Sequence, residues 1–437
     1  MFIDLTTATF FGIIAGIVVG LLPGFGATSL LILSFPLITG NTLLFCITFY
    51  CVLSSVSQYF GSVTTLSFGV PGESTSLPLL EVRKTIQKLD RIDETHFLCA
   101  YGSLIASILS GLIIFLSFNI FSKAIFYLKS YISLLCAILG IILCILYSNN
   151  KMFISICFIL LGWLIGKTGY DEISNQSFLT FNNVYLYAGI PVLPAIMGIY
   201  AIPNIIKIFY ELEKLSEVSY TYKKVRNKMY LVFKSHGTIV RSTIIGFISG
   251  LVPYVGNGIS SYTAFLFEKK IKLSDPVMQA VAAESANNAA NLSMLIPLII
   301  LGIAIVPSEF VLLEIIMSSS KSVSWKSLLD NIYLISICLF IANLIAFVLS
   351  WNMLKYINLL ITRIRIWFPV LVVIFIILGI YNVGFNYGQE MYYIIVLLIF
   401  SIFGFLLRNY DLLPFVYAFL LQNNIEQIVY RVYKVYF

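Results

Sequence analysis

Glu284, Asn287, Asn288 and Asn291 stand at i, i+3, i+4 and i+7 in a run otherwise made mainly of alanine and apolar residues. On a helix these four share one face. A carboxylate and three carboxamides on one stripe of an apolar segment are costly unless they face a cavity or one another. Carboxamide N–H groups donate to a carboxylate, while carboxamide and carboxylate oxygens accept a cation. Polar glue between helices is the competing use. The run has a clear start at Ser274-Asp275-Pro276, capping residues followed by proline at the first helical position. Asn287 and Asn288 are thus candidates for holding a substrate, and Glu284 and Asn291 for coupling to a Na⁺ or a proton.

A second constellation lies near the start of the chain. Gly12, Gly16 and Gly20 form a small-residue face that admits another helix closely. Pro23, Gly24 and Gly26 then break the helix, and a restart near Thr28 and Ser29 leaves free N–H groups at a half-helix N-terminus, where anions bind. A simple proline kink would explain one such break, but the break recurs. At an offset of 230, Ile14, Gly16, Gly20, Leu21, Pro23 and Gly26 meet Ile244, Gly246, Gly250, Leu251, Pro253 and Gly256, six identities in fifteen positions. Gly24, Gly26 and Thr28 therefore pair with a second candidate anion-binding turn at Gly256, Asn257 and Gly258. Gly69-Val70 and Gly302-Ile303 continue the match at offset 233. Ser54, Ser57 and Gln58 stand at offset 230 from Glu284, Asn287 and Asn288, so both halves are polar there.

The third constellation, Gln58 to Ser74, is rich in hydroxyls and flexible backbone. It reads as a re-entrant loop lining a polar cavity, with Ser62, Thr64 and Thr65 as neutral donors and Ser67 among the ion-coupling oxygens. Glu73 either pairs with a cation or sits at the cytoplasmic interface.

The elements that must carry these residues follow from composition. Of 437 residues, 59% are apolar and 11% charged, against about 25% charged in soluble domains. Apolar stretches of about 20 residues recur, giving roughly ten to twelve membrane-embedded segments. The expected fold is an all-α polytopic membrane protein of two pseudo-symmetric repeats with broken or re-entrant helices. Residues 1–210 form the first repeat, 211–241 a basic linker and 242–437 the second. Paired halves broken by Gly and Pro at matching places point to a transporter site. Segments near Pro-Gly turns can enter and leave on one side. Separate spans are expected over 96–122 and 130–148.

The net charge of +7 gathers in basic loops at 81–95 and 211–241, which places both in the cytoplasm and argues against a nucleic-acid partner. Seven cysteines lie at no metal-ligand spacing and read as packing residues. The first 22 residues lack a basic n-region, unlike a cleaved signal peptide. Gly162 to Thr168 imitates a phosphate-binding loop but has three residues between its glycines where four are required. No zinc-protease or nucleophile-elbow motif is present, and His96 and His236 read as isolated interfacial residues. An enzyme is not expected.

At these motifs the chain resembles the large permease subunit of the tripartite tricarboxylate transporter family (TctA-like), from about residue 10 to about residue 430. The resemblance rests on Leu22-Pro23-Gly24-Phe25-Gly26, Tyr59 to Glu73, Glu284-Ser285-Ala286-Asn287-Asn288-Ala289, Gly166-Lys167-Thr168-Gly169-Tyr170-Asp171 and Phe178-Leu179-Thr180-Phe181. It departs at Pro253-Tyr254-Val255-Gly256, Leu301-Gly302-Ile303-Ala304-Ile305 and Gly69. The resemblance implies ion-driven uptake of carboxylates such as citrate across the cytoplasmic membrane. It also implies a small membrane subunit and an extracytoplasmic solute-binding protein as partners. No cofactor is expected beyond the coupling Na⁺ or H⁺. A passive channel, or the membrane subunit of another type of importer, remains open as an alternative.

Overall fold

The computed structural model describes residues 2–21, 31, 38, 41–68, 76–148, 150–171, 176–201, 203, 225, 227–252, 256–271, 275–301, 307–318, 331–356, 374, 377, 380–381, 384, 388–412, 414–419 and 422. Helix α1 spans Phe2–Leu21, α2 Leu43–Phe68, α3 Ser76–Lys88, α4 Ile92–Tyr147 and α5 Met152–Gly166. A short antiparallel hairpin pairs β1, Gly169–Asp171, with β2, Gln176–Phe178. Two short helices follow, α6 at Val184–Tyr187 and α7 at Val192–Ile196, the latter running into a wide turn at Met197–Ala201. The second half holds α8 at Lys228–Gly250, α9 at Gly256–Ile271, α10 at Pro276–Leu301, α11 at Pro307–Ser318, α12 at Ile332–Met353 and α13 at Glu390–Leu406.

The protein is thus an all-α polytopic membrane protein. Four helices among the described residues are long and apolar enough to cross a bilayer: Ile3–Leu21, Leu43–Ser67, Ile92–Leu116 and Ile332–Met353. They differ in what they face. The span within α2 is 94% buried, whereas that of α12 is 28% buried, so α2 runs through the centre and α12 along the outside. Ile337, Phe340, Ile341 and Val348 of α12 are exposed, as suits side chains that meet lipid. The α8 and α10 helices are long but more polar than these spans, and α10 lies at the heart of the bundle.

Several elements differ from the sequence expectation. Residues 58–68 are the unbroken last turns of α2, not a re-entrant loop; 69–74 lie outside the described residues. The hydroxyls of Ser62, Thr64 and Thr65 bond to backbone carbonyls a turn earlier, which lets serine and threonine sit inside a helix at membrane depth. The two spans expected over 96–122 and 130–148 are one helix, α4, because 123–129 contains no glycine or proline to break it. The described parts of the basic stretches are largely helical too. Only Leu89–Arg91 separate α3 from α4, and the expected linker is helix from Lys228 onward. Lysine and arginine are good helix formers.

The glycine stripes set how the helices meet. A Cβ on Gly12 would lie 2.9 Å from Val52 Cβ, and one on Gly16 2.7 Å from Val56 Cβ and 2.9 Å from the Leu53 carbonyl oxygen. One on Gly20 would lie 2.6 Å from the Ser57 carbonyl oxygen. Both partners advance together, so α1 and α2 run parallel with backbones nearly touching. In the second half Gly246 sits against Ala286, and Gly250 against Ala290, where an added Cβ would lie 2.6 Å from the carbonyl oxygen. Hence α8 and α10 also run parallel, at the register of forty residues that relates Gly16 to Val56. The α2 and α10 helices themselves cross antiparallel: Ser54 meets Asn291 and Gln58 meets Asn287.

Both basic stretches converge on one end of the bundle. Arg91 bonds Glu94 and reaches Asp275 at 3.2 Å, Lys234 reaches the same carboxylate at 3.3 Å, and Lys269 of α9 pairs with Glu81 of α3 at 2.6 Å. Arg83 donates to the carbonyls of Leu66 and Ser67, at 2.8 and 3.0 Å, and so closes the C-terminus of α2. Burial draws its guanidinium below the ordinary arginine pKa. Lys228, at the start of α8, lies 4.3 Å from the centre of the Trp351 ring and 5.1 Å from that of Phe97.

Gly246→Val drives two methyl groups into the backbone at Ala286, and overpacking of this kind costs about 1–3 kcal/mol. Thermal unfolding in detergent should show a lowered Tm. Gly111→Ala, where an added Cβ meets no atom within 4 Å among the described residues, should leave the Tm unchanged or raise it.

Candidate functional site

Asp275 caps α10 as its sequence foretells, its carboxylate accepting from the Val277 N–H at 3.2 Å. Pro276 occupies the first helical position. From there to Ile296 every described side chain of α10 is buried, including the whole polar stripe: Glu284, Asn287, Asn288 and Asn291. Asn287 is eleven residues from Pro276, about 17 Å along the axis, or roughly half the hydrocarbon thickness of a bilayer.

Each stripe residue meets a different helix. Asn287 Nδ2 donates to Gln58 Oε1 of α2. Asn288 Nδ2 donates to Ser103 Oγ of α4 at 2.7 Å. Asn291 Oδ1 accepts from Ser54 Oγ at 2.6 Å and from Asn257 Nδ2 at 3.3 Å. The structure therefore gathers Glu284, Asn287, Asn288, Asn291 and Asn257 around one stretch of α10. The Oδ1 atoms of Asn257, Asn287 and Asn288 are buried with no hydrogen-bond partner among the described residues. An unsatisfied buried acceptor costs about 1–3 kcal/mol, so three together favour a bound donor or cation. None of 43–68, 97–122, 242–267 and 276–301 contains lysine or arginine.

Asn257 arrives there on a helical hairpin. The α8 helix stops at Gly250 and α9 starts at Gly256, with Pro253 between them. Ser249 bonds Ser260 at 2.6 Å beside the turn. Further back, Glu268 of α9 accepts from Thr238 at 2.8 Å and from Arg241 at 2.9 Å, both of α8. The chain thus goes in along α8 and returns along α9, leaving Lys269 beside Glu81 at the basic end. The first turn of α9, Gly256, Asn257 and Gly258, forms the tip that touches Asn291.

Other expected site residues lie elsewhere. Ser62, Thr64 and Thr65 are not free donors to a cavity: Ser62 bonds the Tyr59 carbonyl, Thr64 those of Gly61 and Gly20, and Thr65 that of Gly61. Ser67 bonds His96 Nε2 at 3.0 Å near the capped end of α2, away from the stripe contacts of Ser54 and Gln58. His96 is itself buried rather than interfacial. Gly24, Gly26 and Thr28 lie outside the described residues. Sequence reasoning missed Ser103, the partner of Asn288; Ser103, Ser107 and Ser110 in an otherwise apolar run were the available signal. It also missed Asn343 of α12, whose Oδ1 accepts from Ser55 at 3.0 Å and Tyr59 at 2.8 Å. Gly162 of the imitation phosphate loop packs on Phe415, and Gly166 on Phe419. A separate cavity of about 390 Å³ lies between α4 and α12, lined by Leu112, Phe115, Ile337 and Phe340. It is too apolar for a charged ligand.

A bundle of buried and lipid-facing helices, with a polar cluster at its centre and a helical hairpin ending on that cluster, has the form of a membrane transport protein. The comparisons with known proteins agree. The model of the tripartite tricarboxylate transporter TctA family matches residues 7–417, and the chain belongs to that family. It is a permease component of a tricarboxylate transporter and not an enzyme. It is also similar to an uncharacterized 52.8 kDa protein in the TAR-I ttuC' 3' region of Agrobacterium vitis. The two are 27% identical over 452 aligned positions, covering 97% of this chain and 86% of that one. No solved structure matches the chain.

Glu268 is 1% exposed and Arg241 35%, so removing the carboxylate strands a half-buried guanidinium and the Thr238 hydroxyl. Glu268→Ala should destabilise by about 1–3 kcal/mol, below the value for a fully buried pair because water screens Arg241. Glu268→Gln, which keeps an acceptor for Thr238, should cost less; melting of the two purified variants compares them.

Proposed function

We propose that this protein is an ion-coupled carrier that takes up small di- or tricarboxylates across the cytoplasmic membrane. It works with a small membrane subunit and an extracytoplasmic solute-binding protein, as its tripartite family suggests. The observation that carries the reading is the buried Glu284–Asn287–Asn288–Asn291 stripe, met by α2, α4 and the tip of the α8–α9 hairpin.

Two inverted repeats account for the packing. The pairs α1 with α2 and α8 with α10 share one register, while α2 and α10 oppose each other in direction. Inverted repeats with discontinuous helices place substrate and ion between the halves and allow access to alternate by moving one part against the other. Here the movable part is the α8–α9 hairpin together with α10, on which Gly246 and Gly250 seat it and whose stripe the hairpin tip meets through Asn257 and Asn291.

The chemistry follows from the donor set. Asn287 and Asn288 offer amide N–H groups to a carboxylate once Gln58 and Ser103 release them. The N–H groups at Gly256, Asn257 and Gly258 open α9 and carry its positive dipole end. The sequence repeats this turn at Gly24, Gly26 and Thr28, which lie outside the described residues. With no lysine or arginine in the surrounding segments, a polyanion entering here needs a companion cation. Glu284 and Asn291 supply its oxygens, or Glu284 takes up a proton.

Uptake of radiolabelled citrate and succinate into proteoliposomes tests this. Saturable uptake that depends on an imposed sodium or proton gradient is expected. Asn288→Ala removes one hydrogen bond to a charged group, worth about 1.5–3 kcal/mol, and should lower uptake by about 10- to 100-fold. Uptake that never saturates and ignores the gradient would mark a channel; uptake untouched by Asn288→Ala would remove this site.

A further inference from the structure

We propose that the outward N–H groups of Arg241 hold the phosphate of an anionic phospholipid in a notch at Gly237, at the basic end of the α8–α9 hairpin. This site is independent of what the protein carries. The spacing of α8 makes the notch. Met229, Phe233, Val240, Ile244 and Ile248 are exposed large apolar side chains at intervals of four or seven residues, the face that meets lipid. Gly237 is exposed too and takes the place between Phe233 and Val240 on that face. Bare backbone thus interrupts the apolar stripe.

Depth along the helix fixes what the notch meets. Gly246 packs on Ala286, beside the centre of the polar stripe. Gly237 stands nine residues nearer the basic end, about 13 Å along the axis, close to half of a hydrocarbon core roughly 30 Å thick. Beyond it come exposed Tyr230 and the Lys228–Trp351 contact, residues that suit a membrane interface. Gly237 is therefore at the level where acyl chains give way to headgroups.

Arg241 brings charge to this level from deeper in the membrane. Helix side chains lean toward the N-terminus, which for α8 is the basic end. The guanidinium accordingly reaches back one turn, and a Cβ built on Gly237 would stand 3.2 Å from Arg241 Nη1. Long cationic side chains snorkel in this way toward polar surroundings. The guanidinium fork is only half engaged. Nη2 donates to Glu268 at 2.9 Å, whereas Nη1 has no acceptor among the described residues. Glu268 is 1% exposed and Arg241 35%, so the acid holds the inner side of the guanidinium and leaves Nη1 outward. Phosphate oxygens are the acceptors that suit such a group at headgroup level. Lys234, on the same face two turns nearer the end, is 42% exposed and supplies a second cation. The two helices carry Lys228, Lys234, Arg241, Lys269 and Lys270 against a single acid, Glu268. The cluster stays positive even with Asp275 and Glu81 paired to Lys234 and Lys269. That balance selects a headgroup of net negative charge over a zwitterion.

Melting of the purified protein in detergent, with rising mole fractions of phosphatidylglycerol or phosphatidylcholine, tests the site. Phosphatidylglycerol should raise the Tm of wild type more than phosphatidylcholine does; equal effects overturn the proposal. Inorganic phosphate and glycerol phosphate should leave the Tm unchanged, and stabilisation by either equal to that by the lipid would mark a soluble-anion site instead. Gly237→Glu sets a carboxylate beside Nη1 and should weaken the apparent phosphatidylglycerol affinity at least about tenfold, the loss of one charge-assisted hydrogen bond. Gly237→Leu, which fills the notch, should do the same and carries the test if the first variant does not fold. Lys84→Gln, which removes an exposed cation of α3, should keep the wild-type response. A wild-type response in either folded Gly237 variant overturns the proposal. So does an equal loss in Lys84→Gln, since the lipid would then sense only the general charge of the basic end.

Discussion

The close approach of helix backbones along the small-residue stripes governs the rest of this molecule. Membrane helices gain little from hiding apolar surface, because lipid is as apolar as the protein interior, so association depends on packing and internal hydrogen bonds. Gly16 and Gly20 seat α1 on α2, and Gly246 and Gly250 seat α8 on α10. This contact brings α10 into a position where helices cover all its sides. Only there can four strongly polar side chains be carried at membrane depth, since each finds a partner on a neighbouring helix or faces an interior space.

The same constraint explains why the stripe is shared among elements. Asn287, Asn288 and Asn291 turn to α2, α4 and α9 in order, so the cluster is also the point at which these helices are held together. Displacing any one of those bonds changes how two helices sit against each other. The hydrogen-bonding state of these side chains is thus tied directly to helix arrangement. The hairpin is well suited to respond: fastened at its base by Glu268, Arg241 and Thr238, it is joined across its two arms again by Ser249 and Ser260 near the turn. Its two arms are thereby tied into one unit.

Much of this was legible in the sequence because it depends on spacing. The glycines at intervals of four announced close packing, Asp275-Pro276 announced the start of α10, and the i, i+3, i+4, i+7 pattern announced the buried stripe. The offset of 230 marked Ser54, Ser57 and Gln58 as a polar stretch of the first half, and two of them, Ser54 and Gln58, meet the stripe. The errors have a common origin in residues whose polarity can be satisfied locally. Ser62, Thr64 and Thr65 look like a cavity lining but bond to backbone carbonyls, two of them within their own helix alone. His96 looks interfacial among basic neighbours, yet Ser67 receives it inside the bundle. Ser103 was passed over because the Ser103, Ser107 and Ser110 row consists of single hydroxyls, which a helix can satisfy on its own backbone, with no carboxamide or charge to mark it.

The basic end of the bundle holds α8 by two kinds of fastening. Lys234 is tied to Asp275 by charge, in a partly exposed place where dissolved ions compete. Lys228 is instead lodged against the faces of Trp351 and Phe97, an attraction to aromatic rings that needs no counter-ion. A rise in salt at that end would slacken the first and leave the second nearly untouched. The foot of α8 would then stay pinned to α4 and α12 while its next turns grew looser against α10, making that end a pivot whose stiffness follows ionic strength.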